Sequence, residues 1–411
     1  MRLIRPARAV ALAAALTLAA AACTTSNEST GSEAAGVQGA TGKAETAAKT
    51  YKLGLGLPLT GSAAAYGEEY RAVTEMGVKK ANEEFAADGI KIELVTADTQ
   101  ATAEGGVNAA NKLGAVEKAP AILTGWGTVV QASMPIAVDR GFALLNAGVQ
   151  TSTLVGASPN LVNLLPMNNS MFSDYASHLT KTLGYKKFAY IAIDTDTGRA
   201  AAEEFAKAVK DLGGEIVATE SIRQDATDAT PQIAKIKAAD PDFLYMHALL
   251  VDGASTLKAA READLKSVIG TYTAVAESAV IREAGKEKSN GMLYVSHLPK
   301  DVDGTRGLLK SLRESHPKMV IANQSYDPYW YATPFLYAQV IKKLRAQGAP
   351  VTGANVLAVM REAKDLNVPI VGPVDLTDKL TYKAPTTIRQ IKDWKADPLD
   401  DATVASVSSD D

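Results

Sequence analysis

An α/β fold of two similar lobes is predicted by three features of this chain. Apolar runs of strand length alternate with segments whose apolar residues recur at helical spacing, the pattern of a parallel sheet with helices on both faces. The alternation begins at Tyr51, pauses at an extended segment, Leu161–Pro166, and then restarts. At 411 residues, 46% apolar and 22% charged, the chain has the length for two domains and an ordinary globular composition.

The first fifty residues stand outside this rhythm. Arg2, Arg5 and Arg8 precede the apolar run Ala9–Ala22, which reads as a signal peptide over residues 1–22. Ala20-Ala21-Ala22-Cys23 resembles a lipobox, with the usual leucine displaced to Leu18, so Cys23 is expected to carry lipid. It is the only cysteine, which excludes an intramolecular disulfide. Residues 23–50 are rich in Ser, Thr, Gly and Ala without apolar periodicity, and read as a flexible tether spanning about 30 Å. The expectation is an exported protein anchored to the cell membrane through lipid.

From Tyr51 each element has its own signal. Tyr51–Pro58 is the first expected strand, and the helix after Tyr66 carries Val73, Gly77, Ala81 and Phe85 on one face. Lys91–Ala97, Pro120–Thr124 and Phe142–Leu145 are expected strands separated by helices over Ala103–Val116 and Val130–Val138. After Leu161–Pro166, a helix Met171–Leu183 opens the second series. Its strands are expected at Lys187–Ile193, Glu215–Glu220, Asp242–Met246, Ser267–Thr271 and Gly291–His297. The last third departs from the series: helices are expected near Arg306–Ser315, Asp327–Ala346 and Asn355–Lys364. Asp327-Pro328 reads as an N-cap followed by proline at the first helical position. Residues 398–411 read as a disordered acidic tail.

Several chemistries are excluded. Gly54, Gly56 and Gly61 lack the spacing of a dinucleotide fingerprint, and no GxxxxGK[ST] loop is present. His178, His247, His297 and His316 are scattered singly, without metal-ligand spacing, and read as surface or satisfied interior residues. No Gly-x-Ser-x-Gly elbow occurs. A net charge of -3 without a basic stripe gives no case for nucleic acid. The expectation is a protein that is not an enzyme and uses no cofactor or metal. The loops after the strands are a different matter: Leu59–Gly67, Gly125–Val129, Asn146–Thr153, Asp194–Gly198, His247–Asp252 and Thr271–Thr273 would converge on one cleft if two such lobes faced each other. The aromatic segment Tyr326–Tyr337 reads as core packing.

Four stretches carry a family resemblance: PLTGSAAAYGEEY, KIELVTADTQ with a helix ending NKL, LGYKKFAYIAIDTDTGRAAAEEFAKAVKDLGGEIV, and AKIKAADPDFLYMHALLVDGASTLKAAREADL. Over about Tyr51–Trp394 the chain resembles the type I periplasmic solute-binding proteins, in the branched-chain amino-acid (leucine/isoleucine/valine) group of ABC importers. The resemblance implies two Rossmann-like lobes joined by three crossovers, residues 51–169 with 299–372 and residues 170–298 with 373–397. It implies a monomer that captures a small-molecule solute by lobe closure and hands it to ABC permease and ATPase subunits. A ligand sensor of the same fold feeding a signalling partner is the alternative.

Carried over by position, the resemblance implies a ligand site at Tyr66, Trp126, Gly127, Thr128, Gln150, Thr151, Thr197, Leu249 and Tyr272. Several positions depart from the family pattern. The loop that usually grips a carboxylate offers only the Thr128 hydroxyl, and the glutamate that usually pairs with a substrate ammonium is replaced by Tyr272. A buried ammonium without an anion is costly. Asp194, Asp196 and Asp252 are the acids that could substitute. The implied pocket is aromatic, polar and neutral, and suits an amide or aromatic acid at least as well as leucine.

Overall fold

The computed structural model describes residues 36–61, 63–248, 251–278, 281, 286–321, 324–384, 386–392, 399 and 402–407. The expectations for the signal peptide and Cys23 lie outside the described residues. Strands β1 (Lys49–Leu57), β2 (Ile90–Asp98), β3 (Ala121–Thr124), β4 (Ala143–Asn146) and β5 (Leu161–Asn163) form an all-parallel sheet in the order β2-β1-β3-β4-β5. Helices α1 (Ala64–Glu84), α2 (Ala103–Asn111) and α3 (Gly127–Arg140) connect its first four strands. Strands β3 and β4 are buried at every residue, as expected of inner parallel strands covered on both faces.

After α4 (Asn168–Ser177) the chain builds a second sheet from β6 (Lys187–Ile193), β7 (Glu215–Ile222), β8 (Phe243–His247), β9 (Val268–Tyr272) and β10 (Leu293–Ser296). Its parallel part runs β7-β6-β8-β9-β10, the same order as the first sheet. Helices α5 (Asp196–Asp211), α6 (Thr230–Ala238), α7 (Val251–Glu262) and the short α8 (Thr273–Glu277) connect it. In both sheets the strand order reverses beside the first strand of the series, which opens a crevice outside the carboxyl ends of the strands. Helices α9 (Val302–Ser315), α10 (Asp327–Ala346) and α11 (Gly353–Glu362) and the hairpin β11 (Leu366–Val368)–β12 (Gly372–Val374) follow. Leu308, Leu336, Val356, Leu366 and Val374 share one core with Leu53 and Leu145 of the first sheet. Strands β13 (Thr386–Gln390) and β14 (Ala402–Val407) then return antiparallel to the edge of the second sheet.

Five expectations are corrected. Leu161–Pro166 is more than a crossing segment, because its first three residues are fully buried and close the first sheet as β5. Residues 373–382 stay with the first lobe: Leu376, Leu380 and Tyr382 are buried in its core, and Asn163 exchanges backbone hydrogen bonds with Leu380 and Tyr382. The acidic tail contains β14, whose Ala402–Val407 pairs with β13, while Leu399 is buried beside Leu298 and Leu309. Residues 36–48 of the tether lie against the folded body. The N–H groups of Thr41, Gly42 and Glu45 bond the carbonyls of Gly348, Gln347 and Arg345 at and just beyond the end of α10. Finally, Asp327 is the first residue of α10 and does not cap it. Its carboxyl is fully buried toward Glu69, and burial followed by the Glu69 charge raises its pKa well above the carboxylate range.

Candidate functional site

The first lobe presents its cleft wall from three strand ends. The loop after β1 is anchored by Asp98, which accepts from the Leu59 N–H (2.9 Å) and the Thr60 hydroxyl (2.5 Å). It folds back over α1 so closely that a Cβ on Gly67 would lie 1.9 Å from the Pro58 carbonyl oxygen. Only glycine can follow Tyr66 there. Beyond β3, Gly125 packs so closely that a Cβ there would lie 3.2 Å from the Gly148 Cα and 3.3 Å from the Trp330 ring, a tight fit. The next residue, Trp126, holds φ 69° and ψ 127°, a conformation that strains any residue with a Cβ. This backbone aims the indole at Tyr66, edge-on at 5.7 Å, and at Tyr70 at 6.3 Å, while Tyr70 stacks on Trp330 at 4.6 Å. Gly127 and Thr128 open α3, so their N–H groups are free of intrahelical partners and point at the cleft end of the helix. The Thr128 hydroxyl donates to the Ala101 carbonyl (3.2 Å).

The second lobe brings Tyr272 from the end of β9. Its ring stacks on His247 at 4.6 Å and 5°. Burial pushes the Tyr272 hydroxyl pKa well up, and the Tyr66 phenol adds to the shift. Thr197 is exposed on the first turn of α5 and is not drawn into these ring contacts. Leu249 lies outside the described residues. Gln150 is buried and committed within the protein: its amide donates to the Pro166 carbonyl (2.8 Å) and its oxygen accepts from the Tyr326 hydroxyl (2.6 Å). Thr151 is half-buried beside Thr153, their hydroxyls 3.1 Å apart.

A match to the family model described as "Periplasmic binding protein" spans residues 50–394. The chain belongs to the periplasmic binding protein family. It is 21% identical over 306 residues to Leu/Ile/Val-binding protein homolog 1 of Brucella abortus, covering 74% of this chain and 79% of the relative. A branched-chain amino acid transporter substrate-binding protein from Streptococcus pneumoniae, solved with isoleucine, superposes with a TM-score of 0.71 at 18% identity, covering 87% of this chain and 99% of that one. An ABC transporter solute-binding protein from R. palustris, solved with benzoate, gives 0.71 at 19% identity, covering 88% and 98%. Likeness at these identities is likeness of fold. The family is one of receptors for small molecules that work with ABC transporter components, and its members are not enzymes. Among the described residues no helix is long and apolar enough to cross a membrane.

Sequence reasoning missed four groups in this periplasmic binding protein. Tyr326, set aside with the core aromatics, instead packs on His297 and donates its hydroxyl to Gln150. Burial, then Tyr272, Glu277, Tyr329 and Tyr66 in turn, raise its pKa. Two histidines read as unremarkable are buried at the second sheet's strand ends. His247 accepts or donates at Nδ1 with the Tyr245 hydroxyl (3.2 Å), and His297 packs its edge on Tyr326 at 4.5 Å. Burial lowers their pKa values to about 4 and about 3, so both rings are neutral. Glu277, at the end of α8, accepts from the Ser325 N–H (3.1 Å) and the Ser325 hydroxyl. Nothing in the residue spacing marks it, because its partner is 48 positions away.

Several acids near the cleft loops are already engaged, while Glu69 and Asp327 lie buried against each other beside Tyr66. Glu277 is held by Ser325. Glu204 of α5 accepts from the Ser152 N–H and hydroxyl across the lobes, and burial raises its pKa. Arg199 pairs with both Asp194 and Asp196 at the surface. Asp252 is buried and accepts from the Asp225 N–H (3.3 Å). A cavity of about 500 Å³ between α1, α9 and the β11–β12 turn has no residue from the cleft loops. Its Ser311 and Ser315 hydroxyls bond carbonyls of their own helix.

Proposed function

We propose that this protein is the exported, lipid-tethered solute receptor of an ABC importer, working as a monomer, and that its solute is a small carboxylate without an ammonium group, an aromatic acid foremost. One observation carries the choice of solute. The cleft is read as walled by Tyr66, Trp126, Tyr272 and Tyr326; of the nearby carboxylates, five are held by Ser325, Ser152, Arg199 and the Asp225 N–H, and Glu69 and Asp327 are buried against each other. An amino acid's ammonium would have to draw one of these acids from its present contacts or lie buried without an anion, at a cost of several kcal/mol. An aromatic ring meets aromatic faces and edges instead, each such pairing contributing about 0.5–1.5 kcal/mol beyond its area.

The carboxylate would sit at the start of α3, where the N–H groups of Gly127, Thr128 and Val129 and the helix dipole favour an anion. Lobe closure follows from contacts with both walls at once, Tyr66 and Trp126 on one side and Tyr272 on the other. The Ser152–Glu204 and Ser325–Glu277 hydrogen bonds would join the two lobes on closure. Cys23 would hold the receptor at the membrane, near its permease and ATPase subunits.

Thermal unfolding of the full chain against leucine, isoleucine, phenylalanine, benzoate and phenylacetate tests the solute class. A ligand at 100 times its Kd stabilises by about 2.7 kcal/mol. The expected result is stabilisation by the aromatic acids. Stabilisation by leucine with none by the aromatic acids would show that an ammonium partner exists and overturn the proposal.

A further inference from the structure

The strand register extends the cleft by one ring that has no assigned role. In the second sheet Tyr245 pairs with Gly270, and Tyr272 pairs with Val295. Continuing the first pairing sets His247 opposite Tyr272, and their stacked rings show that it does continue. Side chains two residues apart share a face of a strand, so His297 follows Val295 on the Tyr272 side, one pleat further toward the strand ends where ligands bind in such sheets.

His297 is 1% exposed, yet neither ring nitrogen has a protein partner among the described residues. A neutral imidazole offers one donor and one acceptor, and buried polar groups without partners are rare in folded proteins. The surrounding groups fix the ring without satisfying it. Tyr329 packs at 5.7 Å and donates its hydroxyl to the His297 carbonyl (2.6 Å). Tyr326 meets the ring edge-on, but its hydroxyl is committed to Gln150. His247 differs, since Tyr245 occupies its Nδ1.

We propose that His297 is a specificity-determining residue, which reads by hydrogen bond a neutral hydroxyl or carbonyl at the end of the solute remote from its carboxylate. This rests on the aromatic-acid assignment above and narrows it to ring-substituted acids. With its pKa lowered to about 3 by burial, His297 carries no charge at neutral pH and selects for a neutral group.

The test is calorimetry on the full chain with benzoate and with 2-, 3- and 4-hydroxybenzoate, for the wild type, His297→Phe and His297→Gln. The wild type is expected to prefer at least one hydroxybenzoate over benzoate by about 10-fold or more, the scale of one hydrogen bond in a desolvated site. His297→Phe should abolish that preference, and His297→Gln should restore part of it. Should the phenylalanine variant fail to fold, ¹⁵N-histidine spectra of the wild type decide. His297 ring nitrogens should shift with the preferred hydroxybenzoate and not with benzoate. Equal binding of all four acids by the wild type, a preference retained in His297→Phe, or ring nitrogens that stay unmoved would overturn the role of His297 alone. Failure of every benzoate to bind would overturn the aromatic-acid assignment itself.

Discussion

The strained backbone at Trp126 permits a separation of stability from binding. Replacing Trp126 by alanine removes two edge-on ring contacts, with Tyr66 and Tyr70, at about 0.5–1.5 kcal/mol each, while the Cβ keeps the strain of φ 69° and ψ 127°. Replacing it by glycine removes the same contacts but relieves strain of about 1–3 kcal/mol. Against that relief stands the extra freedom of glycine in the unfolded chain, about 0.4–1 kcal/mol. The glycine variant should therefore be more stable than the alanine variant by about 1 kcal/mol, although glycine is ordinarily the more destabilising residue. Urea unfolding followed by circular dichroism measures the difference, since ΔG falls linearly with denaturant. Both variants lose the aromatic wall and should bind an aromatic acid about 10-fold more weakly. An alanine variant as stable as the glycine variant, or more so, would mean that position 126 stores no strain, and the account of how the indole is aimed would fail.

Three further outcomes follow from the same geometry. Tyr272→Ala should weaken ligand binding far more than Tyr329→Ala, because Tyr272 is proposed to line the cleft whereas Tyr329 bonds the His297 carbonyl; equal effects in calorimetry would remove Tyr272 from the site. Gln150→Leu should destabilise the fold by about 1–3 kcal/mol in urea titration, since it strands the buried Tyr326 hydroxyl, and restoring most of that loss with Tyr326→Phe would identify the hydroxyl as the cause. The third concerns pH. His247 and His297 have folded pKa values near 4 and 3, below the unfolded value of 6.5, so the unfolded chain takes up more protons between these limits. Their contribution is complete above pH 6.5 and declines as pH falls toward 4, by roughly 1.4 kcal/mol per pH unit for each ring. A His297→Phe variant should show a shallower decline, and an unchanged slope would count against the buried neutral ring.

Much of the fold was legible because parallel strands buried on both faces are apolar throughout. Ala121–Thr124 and Ala143–Asn146 could be read from composition alone, and the restart after residue 161 announced a second series. What escaped was decided by tertiary pairing. Residues 373–382 look like any polar connector, and only the hydrogen bonds between Asn163 and Leu380 and Tyr382 keep them with the first lobe. Ala402–Val407 is short, lies between acidic residues, and becomes a strand because β13 leaves an open edge to pair with. At Asp327 the capping rule lost to burial, since the carboxyl turned inward to Glu69 rather than back to its own helix. His297 and Tyr326 were undervalued for the same reason: a lone histidine or a tyrosine in an aromatic run gives no sign, one residue at a time, of which strand end or loop it will meet.

Tyr272 in place of a glutamate was legible at once, but the fate of the remaining acids was not. The Arg199 pairs with Asp194 and Asp196 are local and could be anticipated. Glu204 and Glu277 find Ser152 and Ser325 at separations of 52 and 48 residues, and each of these partners lies on the opposite lobe. That arrangement changes what the missing glutamate means. A solute ammonium that took Glu277 or Glu204 as its anion would draw that acid away from the serine it bonds across the two lobes. The gain of one charge pair would then be offset by the loss of hydrogen bonds that accompany closure. A solute with no ammonium makes no such demand, so the same two acids that look like ammonium partners by composition favour, by their placement, a ligand that leaves them where they are.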